Sequence, residues 1–135
     1  MCLHVYKSRN IKKPLIVYVV RWITGRRNTV IRSPFNGGTI WIVDKNKIIK
    51  NQKKYKFEMP KRVGVGHFHS FVSFGGAKKL HWYLSNRYIS CNFAIYEAKI
   101  LPSKIYIGKF DSYYYVKRSA SIGSTNLTLI RKIGE

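Results

Sequence analysis

Apolar and polar residues alternate or run together in short stretches along most of this chain, which is the pattern of strands. Pro14–Ile23 (PLIVYVVRWI) is almost wholly apolar, β-branched or aromatic, as in a central strand buried on both faces. Its proline stands at the entry, where a missing N–H is tolerated. Met1–Lys7 reads as a first strand, Thr24–Asn28 (TGRRN) as a turn, and Thr29–Arg32 as a short strand. Ser33–Gly38 (SPFNGG) is a loop, Thr39–Val43 (TIWIV) a strand, and Asp44–Gln52 a basic connector with a short strand at Ile48–Ile49. In Lys54–Met59 the alternation is strict: Tyr55, Phe57 and Met59 share one face, and Lys54, Lys56 and Glu58 the other.

The second half continues the pattern. Val63–Gly66 is a flexible approach to His67–Phe71, a segment that reads as a turn. One helix is expected, over about Gly76–Ser85, where Leu80, Tyr83 and Leu84 form a narrow apolar stripe; Ser73 is placed to cap an earlier start. Asn92–Leu101, Lys104–Phe110, Tyr113–Arg118 and Leu127–Ile133 read as strands separated by Pro102, Asp111 and Gly123. No repeat, low-complexity tract or linker interrupts the 135 residues. The expected architecture is a single α+β domain over residues 1–135, mostly antiparallel strands with one short helix.

Composition then narrows the function. There are 26 Lys and Arg against 5 Asp and Glu, a formal net charge of +21, while 45% hydrophobic and 15% aromatic residues argue for a folded chain. Self-repulsion at that charge opposes compaction, so solubility alone does not account for it. Release of counterions on meeting phosphates turns the same charge into affinity, and nucleic acid is the leading partner. Residues 1–62 hold 16 cations and 2 acids, so the first half is the expected footprint. The candidate phosphate-binding set is Arg9, Lys12, Lys13, Arg21, Arg26, Arg27, Arg32, Lys45, Lys47, Lys50, Lys53, Lys54 and Lys56. Tyr113, Tyr114 and Tyr115 join it as candidate stacking rings, since bases of single strands stack on exposed aromatics. Trp22, Trp41 and Phe93 read as core.

Other chemistry is thinly supported. His67, His69 and His81 lack the carboxylate or cysteine that would complete a metal site, and local hydrogen bonding is the better account of them. The acids Asp44, Glu58, Glu97, Asp111 and Glu135 form no close pair, so no catalytic residue, metal or cofactor is expected. Gly64-Val65-Gly66 lacks the continuation of a phosphate loop, and Ser33-Pro34 and Ser119-Ala120-Ser121 read as ordinary loop or strand positions. Cys2 and Cys91 are two lone thiols, read most simply as reduced, with one disulfide as the alternative. Met1–Asn10 has no signal-peptide core and no apolar run is long enough to span a bilayer, so a cytoplasmic protein without membrane contact is expected.

Several segments carry a resemblance. The opening MCLHVYKS, the strand LIVYVVR, the segment GHFHSF before a short helix, and YEAKILPSKIYIGKF followed by a last strand resemble small uncharacterised bacteriophage proteins. These share a Gly-x-His-Ser-Phe turn and an Ile-Pro hairpin. The resemblance implies an accessory protein of the infected bacterial cytoplasm. Such a protein acts on nucleic acid or, alternatively, in counter-defence, by sequestering an anionic nucleotide signal or blocking a host effector. The hairpin, placed at Ile100–Lys104, also resembles that of the ADP-ribosyltransferase fold, in which Arg21 matches an arginine on an early strand. The Ser-Thr-Ser strand and Glu-x-Glu turn of those enzymes are missing here, which implies that any shared fold has lost the activity.

Overall fold

The structure, a computed structural model, describes residues 3–25, 27, 30–32, 39–44, 47–52, 62–63, 68–110 and 121–134. Its strands are β1 (Leu3–Asn10), β2 (Leu15–Thr24), β3 (Val30–Arg32), β4 (Thr39–Asp44), β5 (Lys47–Gln52), β6 (Arg62–Val63), β7 (Phe68–Phe71), β8 (Asn92–Ile100), β9 (Lys104–Phe110), β10 (Ser121–Ser124) and β11 (Thr128–Gly134). The one helix among the described residues, α1 (Phe74–Arg87), lies between β7 and β8 in the chain. Every strand pair is antiparallel, and all the strands belong to one sheet. The sheet dominates, so the α+β description holds only coarsely.

The apolar run of β2 organises that sheet. One edge of β2 pairs with β8 along its length, from Leu15↔Ile100 to Ile23↔Asn92. The other edge is shared: Tyr18 pairs with Phe71 of β7, and Trp22–Thr24 pair with β3. The sheet therefore forks at Val19–Arg21. One arm runs β3-β4-β5 and the other β7-β10-β9-β1-β6, while β11 extends β8.

Alternation along β2 sends side chains to two cores. Val17 and Val19 pack with Ala94, Tyr96, Ala98, Ile100, Phe68 and Ile122 on one face. Tyr18 and Val20 pack with Phe71, Ile95 and the Ala77, Leu80 and Leu84 stripe of α1 on the other. Burial on both faces thus holds in the middle of β2, but Ile16 and Trp22 are exposed, which corrects the core reading of Trp22. Phe93 does pack against the helix-side core.

Local chemistry sets the limits of α1. The Ser73 hydroxyl accepts from the Gly76 amide at 3.2 Å, a cap that Gly75 and Gly76, poor helix formers, need at the first turn. Arg87 in the last turn complements the negative end of the helix dipole, and the Tyr88 amide closes on the Leu84 carbonyl at 2.9 Å. The helix is four residues longer than the expected ten, because its first and last turns are capped rather than apolar.

Three expectations fail. His67–Phe71 is not a turn: Phe68–Phe71 is a strand held between β10 and β2, and His67 lies outside the described residues. Ser121–Ser124 is a buried strand, although Ser and Gly are poor strand formers and Gly123 was expected to interrupt. Gly123 stands opposite both His69 and Tyr106, in register with β7 on one side and β9 on the other. Lastly, the Ile100–Lys104 segment is no hairpin. Leu101–Ser103 joins β8 to β9, but β8 pairs with β2 and β11 while β9 pairs with β1 and β10. The strands expected at Lys54–Met59 and Tyr113–Arg118 lie outside the described residues.

Candidate nucleic-acid interface

The fork in the sheet holds the most perturbed electrostatics. Arg21 is only 3% exposed, and its guanidinium Nη1 donates to the Val20 carbonyl at 2.8 Å. Burial lowers its pKa from the usual arginine range to about 9, which leaves it cationic at neutral pH. On β7, His69 has its Nε2 out of solvent, although the residue as a whole is half-buried, and it packs edge-on against the Phe71 ring at 5.0 Å. Burial first, and then the charge of Arg21, hold the His69 imidazole down at about 3, so it is neutral at physiological pH. Arg21 therefore leaves the expected phosphate-binding surface: a guanidinium this deep does not reach a strand lying on the outside.

The exposed cations group elsewhere. At one end of β2, Arg9, Lys12 and Lys13 are exposed, and Lys104, also exposed, stands opposite Asn10 across β1–β9. A polar knot fixes this end. The Ile11 amide donates to the Ser103 carbonyl (2.9 Å), and the Leu101 amide donates to Asn126 Oδ1 (2.7 Å). Asn126 Nδ2 donates to Ser103 Oγ (2.9 Å), and Ser103 Oγ donates to the Leu101 carbonyl (2.8 Å). The loops before β2, after β8 and after β10 are tied together, and the ammonium groups stand on a rigid base.

The opposite end of β2 carries Arg27 and Arg32. Gly25 turns the chain with φ 81, where a Cβ would come within 2.6 Å of Val30 Cγ2, and exposed Arg27 also takes a left-handed conformation with φ 58. Arg32, half-buried, donates from Nε to Thr24 Oγ1 at 3.2 Å and pairs across the strands with Trp22, 37% exposed. Ten residues of β2 separate the two ends, roughly 33 Å at about 3.3 Å per residue. The cations that are neighbours in the sequence do not form one patch. Lys47 and Lys50 lie on β5, with Lys50 in register with Trp41. Arg26, Lys45, Lys53, Lys54, Lys56, Tyr113, Tyr114 and Tyr115 lie outside the described residues.

A group absent from the expected set is the outer side of α1, where Lys78, Lys79 and Trp82 are exposed, with Arg87 exposed at its last turn. The signal was present in the sequence: Trp82 falls outside the apolar stripe, three and four residues after two lysines.

No family model, curated protein or solved structure matches this chain. Its chemistry rests on its own residues. Among the residues whose side chains are described, Glu97 is the one carboxylate, and Arg131 Nη2 takes it at 3.3 Å. His81 Nε2 lies 2.9 Å from the Phe93 carbonyl, a contact from α1 to β8 across twelve residues rather than the local bond expected. No group of three or more metal-ligating side chains occurs among the described residues, and no helix among them is long and apolar enough to cross a membrane.

Proposed function

We propose that the protein binds nucleic acid non-catalytically, through solvated lysines and arginines supported by exposed aromatic rings. The observation that carries this reading is the near absence of countercharge. Exposed cations stand at both ends of β2 and along α1, and the single described carboxylate is already engaged by Arg131. A surface built this way repels itself and is relieved by a polyanion. The resemblance to small bacteriophage proteins gives the setting: an accessory protein acting in the cytoplasm of an infected bacterium.

The test is an electrophoretic or anisotropy titration of DNA and RNA oligomers at two salt concentrations. With about six or more phosphates engaged, affinity falls roughly a thousandfold or more between 50 and 200 mM salt. A flat salt response would show that the charge is not the binding device, and the reading would be lost.

A further inference from the structure

On α1 the buried side chains Ala77, Leu80 and Leu84 define the side turned to the sheet. At 100° per residue, Trp82 points about half a turn away from that stripe, at the crest of the helix. It is 54% exposed. Lys78 and Lys79 stand one turn before it, Asn86 one turn after, and Arg87 closes the helix beside Tyr88, its guanidinium 6.0 Å from that ring. Phe74 flanks the other end, 38% exposed, with the Lys78 ammonium 5.6 Å from its ring centre. No acid occurs anywhere in α1.

A large apolar ring at the crest of a helix, with two lysines one turn before it and no acid on the helix itself, suits a ligand with flat apolar faces and negative charge. Unpaired bases on a phosphate backbone have both. In a duplex the faces of the bases are covered by their neighbours, so a stacking ring gains little from it. We infer that the outer face of α1 binds single-stranded nucleic acid, with a base stacked on Trp82 and phosphates on Lys78 and Lys79. This rests on the nucleic-acid-binding reading above and adds to it the form of the ligand and the place where it sits.

The experiment is fluorescence anisotropy of a labelled single strand of about 15 nucleotides and of the matching duplex, with wild type, Trp82→Ala, Trp82→Phe and Lys78→Ala/Lys79→Ala. Trp82→Ala is expected to weaken single-strand binding by about five- to a hundredfold, with duplex binding held within about twofold. Trp82→Phe, which keeps a ring, restores most of the affinity and also shows that the helix tolerates substitution there. The double lysine variant lowers the slope of log affinity against log salt by about 1.4 for the single strand, two phosphates at about 0.7 each. Equal losses on both ligands, or no loss on the single strand, overturn the inference and leave nucleic-acid binding standing. A wild type that binds neither ligand overturns both.

Discussion

The depressed His69 imidazole makes acid the sharpest structural perturbation available. In the unfolded chain this histidine titrates at its ordinary value of 6.5; in the folded chain burial and Arg21 hold it at about 3. Between those values the unfolded state carries the extra proton, so stability is present above pH 6.5 and is lost as pH falls toward 3. Linkage over those two values puts the loss between pH 7 and pH 5 at about 2 kcal/mol, a large share of a typical domain's margin.

The assay is urea unfolding at pH 7 and pH 5 for wild type and His69→Gln. The remaining histidines are common to both proteins, so their contributions cancel in the comparison. The expected result is a wild type that loses about 2 kcal/mol more than His69→Gln over this range. Arg21→Met removes the smaller of the two causes, so it reduces the loss without abolishing it, because desolvation remains. If wild type and His69→Gln lose stability in parallel, His69 titrates normally in the folded state, and its depression by burial and the Arg21 charge is refuted.

Two further outcomes test the layout of the surface. Arg21→Met leaves nucleic-acid affinity within about twofold, whereas Lys12→Ala/Lys13→Ala weakens it several-fold, at about 1 kcal/mol or less per exposed charge; titration at low salt separates them, and a larger effect at Arg21 would return it to the interface. Asn126→Ala removes the side chain that ties the loops after β8 and β10, and is expected to cost about 0.5–1.5 kcal/mol in urea unfolding and to speed hydrogen exchange at the Leu101 amide; unchanged stability would show that the knot does not brace that end.

The elements readable from sequence were those whose side chains decide their own structure. β2, β8, β9 and β11 are dense in β-branched and aromatic residues, and α1 has its stripe and its Ser73 cap. β7 and β10 were unreadable because Phe-His-Ser-Phe and Ser-Ile-Gly-Ser are four residues each, with their strand formers diluted by Ser, His and Gly; they are strands because β2, β9 and each other supply the hydrogen bonds. The fork at Val19–Arg21 joins a local pairing, residue 22 with 32, to a distant one, residue 18 with 71, and no local pattern encodes the second. The same limit applies to the site. The cations could be counted, but which of them reach solvent depends on the fork, which buries Arg21, and on the helix axis, which turns Trp82 outward.

The spatial separation of the cations bears on what kind of anion they meet. A small nucleotide is held by a few convergent groups around a pocket. Here Lys12 and Lys13 stand at one end of β2 and Arg27 at the other, with the knot around Asn126 bracing the first group. Neither end can swing toward the other across roughly 33 Å of paired strand. One small ligand therefore cannot touch both, and each end alone offers it only a few weak, solvated contacts. A polymer collects these contacts additively along its length, and about one helical turn of duplex, or its equivalent in single strand, spans the gap. The rigidity that keeps the charges apart is thus the feature that makes a chain-like polyanion the better fit than a mononucleotide.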